Sequence, residues 1–435
     1  MNIQTTIENK MCSGCGMCQA ICHKNAITLQ YNTIGNLIPI INSNCVDCGL
    51  CIKVCPGNIN NADNNISTEK LFIGEIQNAN IGRSFKNDIY KNSQSGGIVT
   101  GLLHFLFEKE LIDAAIVAKM QPGSPYPVTS PTIVTNKEQL IETQKSIYTP
   151  VAILTKLKEI KQYKSVAIVG LPCQFEALKL AQDMGLYKNV TYKIGLICDR
   201  ILSRSVYLSL MPYDWKQNAP DNKDEYSVIF RDKRHNGYKT AYMLYKNKRS
   251  SVSLPPYPRH HVKDFFTHPR CRICFNKLNI YADITCGDPW NLDNVDWKNG
   301  DSLILTRTNK GEKLLSQALS DGTISLMKCE KEAVIKAQGI NSRIKRCKAS
   351  INVYIENGWE IPETYKRIDK SITKDYTAYK NEKKFINIFL KNENLPLEKI
   401  LQESEYFKKY NSKKMARARL KNKIKRIVKR ILTFK

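Results

Sequence analysis

Eight cysteines lie near the start of the chain in two groups that share one spacing, C-x2-C-x2-C-x3-C. Three thiolates separated by two residues can bind one iron-sulfur cubane, while the fourth cysteine binds the partner cluster of a two-cluster ferredoxin. The sequence therefore predicts two [4Fe-4S] clusters. The predicted ligands of the first cluster are Cys12, Cys15, Cys18 and Cys55, and those of the second are Cys22, Cys45, Cys48 and Cys51.

Zinc is the alternative metal for these thiols, because zinc also accepts four thiolates. Zinc sites usually present two CxxC pairs and need no further cysteine three residues on, so the spacing favours iron. The two groups are offset by 33 residues, from Cys12 to Cys45, which indicates an internal pseudo-repeat. Between them, Tyr31 to Ile41 predicts a hairpin that turns near Gly35.

Two later cysteines follow predicted strands. Residues 165–170 form an apolar strand before an amphipathic helix, and Cys173 lies in the turn between them. The strand at residues 190–197 ends directly before Cys198. In open α/β sheets, ligands bind at the carboxyl ends of the strands. The helix dipole lowers the pKa of a thiol at a helix N-terminus, so Cys173 is predicted to favour the thiolate.

A CxxC pair downstream, Cys271 and Cys274, supplies two more thiols. Together with Cys173 and Cys198 they would suffice for a third [4Fe-4S] cluster. The alternatives are a redox-active CxxC pair without metal and a zinc site. Three cysteines have no partner at a recognisable spacing and are predicted to be structural, namely Cys286, Cys329 and Cys347.

A short glycine motif precedes a buried helix in the next part of the chain. Ser95, Gly96 and Gly97 stand directly before the apolar segment 98–107. Backbone amides at a helix N-terminus can bind phosphate. The alternative is an ordinary turn that starts the helix.

The charge of the chain is strongly positive, with 67 Lys plus Arg against 40 Asp plus Glu in 435 residues. The longest apolar run is too short to span a bilayer, and residues 1–11 contain no signal-peptide core. We therefore expect a cytoplasmic protein. Its length corresponds to about three domains.

The C-terminal segment 408–435 contains 13 Lys plus Arg and no acidic residue. Five apolar residues fall on one helical face of it, namely Leu420, Ile424, Ile427, Val428 and Ile431. This pattern predicts a helix in peripheral contact with the anionic inner face of a membrane. The alternative is a helix that packs its apolar stripe on the body of the protein. Nucleic acid is not expected, because the segment has few aromatic residues and no recognition motif.

Five ordered motifs indicate a protein family. They are SGGIVTGLL at Ser95, GLPCQFEALK at Gly170, IGLICDR at Ile194, FRDKRHNGY at Phe230 and CRICFNKLNIYADITCGDPW at Cys271. With them, residues 1–309 resemble the coenzyme F420 hydrogenase/dehydrogenase beta-subunit family, on an N-terminal two-cluster ferredoxin domain. Such fused relatives include polysaccharide-biosynthesis proteins. Where the family usually has a tryptophan after the glycine of the RDK motif, this chain has Tyr238.

The resemblance implies an iron-sulfur flavoprotein with bound FAD. Ser95, Gly96 and Gly97 would contact the flavin. The family's cluster ligands match the four later cysteines already named, Cys173, Cys198, Cys271 and Cys274.

Four charged residues are candidates for contacts with flavin or substrate. Arg231 and Lys233 would neutralise anionic groups, and Asp283 and Asp288 would position a flavin hydroxyl or the CxxC loop. The alternative for all four is a surface ion pair or a loop cap.

The expected fold class is α/β, or α+β overall. A two-cluster ferredoxin domain (1–62) precedes an α/β flavin and iron-sulfur region in two parts, 68–155 with the SGG motif and 156–330 with the PCQ and CxxC motifs. A helical accessory region (331–407) and the basic tail (408–435) complete the chain.

The expected function is that of an iron-sulfur flavoprotein oxidoreductase. Electrons would pass from a ferredoxin-like donor through [4Fe-4S] clusters to the flavin, and then to a small-molecule substrate. The alternative is an electron-transfer subunit that relays electrons to a separate catalytic partner. A third hypothesis, a membrane-bound scaffold of a glycan-synthesis complex, requires that loss of the cysteines leave function unchanged.

Overall fold

The N-terminal cysteines lie on short helices that flank one hairpin. The computed structural model describes residues 2–58, 67–212, 215, 225–371 and 375–433. The helices of this segment are Gln4–Glu8, Met17–Ile21 and Leu50–Lys53, and strand β1 (Ile27–Tyr31) pairs antiparallel with β2 (Leu37–Ile41). The predicted hairpin is thus present, and Gly35 in its turn has a φ of 90°. Residues 59–66, which follow this segment, lie outside the described residues.

A glycine marks the same place in both halves of the pseudo-repeat. Gly16 and Gly49 follow the second cysteine of each group and adopt left-handed backbone conformations where a short helix begins. A Cβ atom on Gly16 would lie only 2.8 Å from Cγ2 of Thr155. Glycine therefore allows the ferredoxin domain to approach the short 3-10 helix Ile153–Glu159 closely.

The centre of the protein is an eight-stranded mixed sheet with the order β13-β3-β12-β11-β7-β6-β4-β5. Its strands are β3 (Asn78–Ser84), β4 (Ala114–Gln121), β5 (Val128–Val134), β6 (Val166–Gly170), β7 (Val190–Leu196), β11 (Ile284–Gly287), β12 (Ser302–Thr306) and β13 (Ile324–Lys328). Strands β4, β6, β7 and β11 run parallel, and the outer strands pair antiparallel. Segments 68–155 and 156–330 both contribute strands to this sheet.

Both faces of the sheet are covered, which explains why its strands are apolar without alternation. In β6, Ala167 faces a layer that includes the helices Ile98–Glu108 and Asn309–Ser320. Val166 and Ile168 face the opposite layer, built on the helix Pro172–Asp183. Met17 and Val54 of the ferredoxin domain pack into this second layer. The cysteine-rich segment is therefore part of the main core.

A smaller antiparallel sheet lies outside this centre, with the order β10-β9-β8. Its strands are β8 (Ser227–Asp232), β9 (Tyr242–Lys246) and β10 (Ser251–Leu254). The other helices before residue 330 are Thr68–Ile73, Asn87–Asn92, Val206–Leu210, Tyr257–Val262 and Pro269–Ile273, with a 3-10 helix at Glu138–Thr143.

Helices form the C-terminal region, as the sequence predicts. They are Lys331–Ala337, Ile340–Glu356, Glu363–Ser371, Tyr376–Asn392 and Leu397–Thr433. The last helix runs without interruption across the predicted boundary at residue 408. Within the described part of the chain, every helix is too short or too polar to cross a bilayer. The fold class is α/β, with an N-terminal ferredoxin-like domain and a helical C-terminal region.

Candidate iron-sulfur site

Four cysteines from both N-terminal groups gather together, one of them buried and three half-buried, and we call these four the first set. Its members are Cys12, Cys15, Cys18 and Cys55. Burial, followed by the neighbouring thiols of Cys15, Cys12, Cys55 and Cys51, raises the pKa of Cys18 well above its ordinary value. The amide of Gly14 donates a hydrogen bond to Sγ of Cys12 at 3.4 Å. Cys55 thus lies with three cysteines of the other group.

The other four N-terminal cysteines, the second set, line one cavity at the surface. They are Cys22, Cys45, Cys48 and Cys51. Cys48 is exposed and Cys51 is buried. The amide of Ala26 donates to Sγ of Cys22 at 3.3 Å. The second set is therefore closer to solvent than the first.

The third set joins cysteines from three separate segments, and its members are Cys173, Cys198, Cys271 and Cys274. Cys173 follows β6 and Cys198 follows the neighbouring strand β7, so both lie at the carboxyl edge of the sheet. The short helix Pro269–Ile273 contains Cys271 and ends at Cys274. The amide of Ile201 donates to Sγ of Cys271 at 3.4 Å.

The first and third sets adjoin each other. Burial raises the pKa of Cys173 well above its ordinary value, and the largest contribution from another thiol is that of Cys15. The remaining contributions come from Cys198, Cys271 and Cys274. Burial and the neighbouring thiols therefore oppose the effect of the helix dipole on the pKa of Cys173.

The donor chemistry of the three sets fits [4Fe-4S] clusters. Each set offers four thiols, and backbone amides donate to sulfur atoms in each. Thiols crowded in a buried site need a nearby cation in order to ionise, and a bound metal supplies one. Among the described residues, no three Cys, His, Asp or Glu side chains converge closely enough to bind a single metal ion. In a [4Fe-4S] cluster each thiolate binds a different iron atom, so such convergence is not required.

The C-terminal helices cover the third set, a role that sequence reasoning missed. Arg343 donates to the carbonyl oxygens of Cys198 at 3.2 Å and Asp199 at 3.0 Å. Cys347, predicted to be structural, is buried and donates from Sγ to the carbonyl of Ile273 at 3.0 Å. These contacts join residues more than 70 positions apart, so no local sequence pattern indicates them.

Three of the four candidate charged residues lie at a second location, near the SGG loop or the end of β11. Arg231 is buried and forms an ion pair with Asp288, with 2.8 Å between Nη1 and Oδ2. Lys233 donates to the carbonyls of Tyr90 at 2.8 Å and Ser95 at 2.9 Å. Burial lowers the pKa of Lys233 to about 8. These residues are therefore not exposed surface ion pairs.

Three aromatic rings, the aromatic stack, pack beside Arg231. They are Tyr238, Trp290 and Trp297. The planes of Tyr238 and Trp290 differ by only 8°, with 5.4 Å between ring centroids. The guanidinium of Arg231 lies 5.5 Å from the centroid of Tyr238. Tyr238 is fully buried, so its ring packs against the two tryptophans and the guanidinium.

The SGG loop is held by the protein itself. The amide of Gly96 donates to Oγ of Ser302 at 3.1 Å, and Oγ of Ser95 lies 3.2 Å from the same atom. A Cβ atom on Gly96 would lie 2.4 Å from the carbonyl oxygen of Gly82. Gly97 has a φ of 78° and begins the helix Ile98–Glu108. Close packing on strands β3 and β12 explains why position 96 is a glycine.

Asp283 does not join the other candidates. It precedes β11, whereas Asp288 follows that strand, so the two carboxylates lie at opposite edges of the sheet. The carboxylate of Asp283 accepts from the amide of Lys193 at 2.8 Å and from Oγ1 of Thr308 at 2.9 Å. The carboxylate of Asp283 therefore connects β7 with the segment at Thr308 by hydrogen bonds.

The sequence matches profiles of known families over most of its length. Residues 163–332 match the C terminus of the coenzyme F420 hydrogenase/dehydrogenase beta subunit, and residues 80–158 match the N-terminal part of the same protein. The chain belongs to the coenzyme F420 hydrogenase/dehydrogenase beta-subunit family. Residues 11–59 match a 4Fe-4S dicluster domain. This member of the family is therefore an oxidoreductase with iron-sulfur clusters.

Relatives within the family include two curated proteins from methanogens. An F(420)H(2) dehydrogenase subunit of Methanosarcina mazei is 26% identical, over 72% of this chain and 83% of its own. Coenzyme F420 hydrogenase subunit beta of Methanothermobacter thermautotrophicus is 26% identical, over 68% of this chain and 100% of its own. A chain of the F420-reducing [NiFe] hydrogenase complex from Methanosarcina barkeri aligns at 20% identity and a TM-score of 0.47, over 65% of this chain and 93% of that chain.

Proposed function

We propose that this protein is an electron-transfer subunit that holds three [4Fe-4S] clusters and serves a separate catalytic partner. The observation that carries the proposal is the close packing of the first and third sets, because the helix Met17–Ile21, which contains Cys18, contacts the helix Pro172–Asp183, which contains Cys173. In agreement with this packing, the thiol of Cys15 acts on that of Cys173. When bound, such clusters supply one-electron transfer at low potential. Both curated relatives are named as subunits, which supports the need for a partner.

The order of the sets supports a relay with one end at the surface. The second set opens to solvent at Cys48, the first set shares the ferredoxin domain with it, and the third adjoins the first through Cys173. A redox partner such as ferredoxin would dock at the cavity of the second set. The third set lies at the carboxyl edge of the sheet, where α/β proteins bind ligands.

Iron analysis after anaerobic purification tests the proposal. We expect about twelve irons per chain, four for each cluster. Cys198→Ser should remove about four of them. Cys329→Ser is the matched control, because Cys329 belongs to none of the three sets, and it should retain all the iron. An unchanged count in Cys198→Ser would overturn the third cluster, and stoichiometric zinc without iron would overturn the whole proposal.

A second candidate function, an FAD-dependent reduction of a small substrate, is supported by the arrangement around Arg231. Three hydrogen bonds connect this region with the third set. They run from Cys198 to Lys277 at 3.0 Å, from Lys277 to Gln338, and from Gln338 to Asp288 at 2.8 Å. When bound, a flavin exchanges two electrons as hydride and also accepts single electrons. Arg231 and Lys233 would place positive charge near its anionic groups, and the SGG loop would adjoin them.

Cofactor extraction separates the two candidates. Stoichiometric FAD that is reduced through the clusters and reoxidised by a metabolite would establish the enzyme. If the protein contains clusters but no flavin, and also fails to bind added FAD, electron relay to a partner would be the one candidate function that remains. Arg231→Gln should weaken FAD binding and leave the iron count unchanged, since Arg231 is hydrogen-bonded to Asp288 rather than to a cysteine.

The basic tail supports contact with an anionic membrane surface. Leu420 and Ile424 belong to the predicted apolar stripe, and they are 60% and 51% exposed on the helix Leu397–Thr433. These two side chains are therefore not packed on the body. Those of Ile427, Val428 and Ile431 lie outside the described side chains. Exposed apolar residues among 13 basic residues match a surface-binding helix.

Flotation with vesicles of anionic and zwitterionic lipid tests this contact. The full chain should float with anionic vesicles, and Leu420→Ser/Ile424→Ser should reduce the floating fraction. Phe85→Ser is the matched control, because Phe85 is exposed elsewhere on the protein. Equal flotation of the double variant and the control would refute the membrane surface as the partner.

A further inference from the structure

A buried arginine lies where the first and third sets of cysteines meet. Arg270 directly precedes Cys271 and is only 2% exposed. Its charge acts on the thiols of Cys173, Cys271 and Cys274 in the third set, and also on Cys12 in the first. No feature of the sequence singles it out, because Arg272 in the same helix is equally basic.

The guanidinium of Arg270 is only partly satisfied by the protein. Nη1 donates a hydrogen bond to the hydroxyl of Tyr365. Nη2 lies 3.9 Å from a carboxylate oxygen of Glu176, which is beyond hydrogen-bond distance. Among the described residues, neither Nε nor Nη2 has a hydrogen-bond acceptor. Arg272 differs, because it is paired with the carboxylate of Glu382 at 3.2 Å.

A buried cation without a full set of acceptors is costly unless an anion lies beside it. A cluster bound by four thiolates is anionic, and it becomes more negative by one charge when it gains an electron. A fixed positive charge at short range therefore favours the reduced state. The low dielectric of a buried site strengthens this effect.

We propose that the positive charge of Arg270 stabilises the reduced state of the clusters held by the first and third sets. This inference rests on the proposed function. Arg270 need not exchange protons or electrons itself, since its charge is constant. The third set should respond more strongly, because the charge of Arg270 acts on three of its cysteines and on only one of the first set. The second set should respond least.

A redox titration of the full chain, followed by electron paramagnetic resonance, tests the inference. Arg270→Gln removes the charge and should make reduction of the third-set cluster at least about tenfold less favourable, which is about 59 mV for a one-electron couple. Arg270→Lys keeps the charge and should leave the potential near that of the wild type. Glu176→Gln removes a negative charge from the same contact, so it should shift the potential in the opposite direction.

A purely structural role of Arg270 predicts different effects of the same variants. If Arg270 only supports packing, Arg270→Lys should be as disruptive as Arg270→Gln, and Tyr365→Phe should share the defect because it removes the same hydrogen bond. Unshifted potentials in Arg270→Gln with full iron would overturn the inference and leave the proposed clusters intact. If Arg270→Gln fails to hold iron, Glu176→Gln decides the case. A wild-type protein without third-set iron would instead overturn the proposed function.

Discussion

Glu382 joins the helix Pro269–Ile273, which contains Cys271, to the C-terminal region. A substitution at Glu382 therefore tests how the third set is held in place. The carboxylate of Glu382 lies 3.2 Å from Nη1 of Arg272, and both side chains are nearly inaccessible, at 7% and 3% exposure. Oγ of Ser350 donates to the same carboxylate at 3.3 Å. Arg272 also lies 3.5 Å from the carboxylate of Asp264.

Glu382→Ala removes one partner of this buried pair. Such a loss costs about 3–5 kcal/mol, because it leaves a charge buried without compensation. Asp264 remains near Arg272, so we expect the lower end, about 3 kcal/mol. The matched control is Glu356→Ala, because Glu356 pairs with Lys383, which lies on the same helix as Glu382, but both side chains are about half exposed, at 44% and 42%. Solvent screens that pair, and its loss should hardly change stability.

Chemical denaturation under anaerobic conditions, compared between the variants at matched iron content, measures the difference. Iron release to a chelator gives a second readout, since Arg272 lies between two cysteines of the third set. Glu382→Ala should lose about four irons faster than the wild type, while Glu356→Ala should not. Equal destabilisation by both variants would refute the reasoning that burial makes the Arg272 pair important.

Three further predictions concern single positions. Because burial lowers the pKa of Lys233 to about 8, binding of FAD should weaken above that pH as Lys233 loses its charge. Lys233→Arg should abolish this pH dependence. FAD titrations at about pH 7 and pH 9 measure it, and an unchanged affinity of the wild type would show that Lys233 has no such role. Gly96→Ala should lower the melting temperature, since its Cβ atom would lie 2.4 Å from backbone oxygen, whereas Gly101→Ala meets its nearest neighbour at 3.3 Å; equal melting temperatures would contradict the packing argument. Cys347→Ser should retain all the iron, because its thiol donates to a backbone carbonyl, and a loss of about four irons would identify Cys347 as a ligand.

The sequence alone was sufficient for the parts of this protein that depend on local pattern. Cysteine spacing predicted a two-cluster ferredoxin domain, because a short loop can wrap a cluster only at fixed spacings. Apolar runs at 165–170 and 190–197 predicted the parallel strands β6 and β7, since strands covered on both faces are apolar throughout. The place of Cys173 and Cys198 after these strands then followed from the direction of the chain.

Only the tertiary structure decided which distant groups share one environment. The proximity of Cys15 to Cys173, the burial of Arg270 between two sets and the cover formed by the C-terminal helices join segments far apart in the chain. The structure also separated Asp283 from Asp288, although five positions divide them, because a strand carries them to opposite edges of the sheet. Spacing reports which residues one short segment brings together, whereas burial and the electrostatics of a site depend on every segment that packs around it.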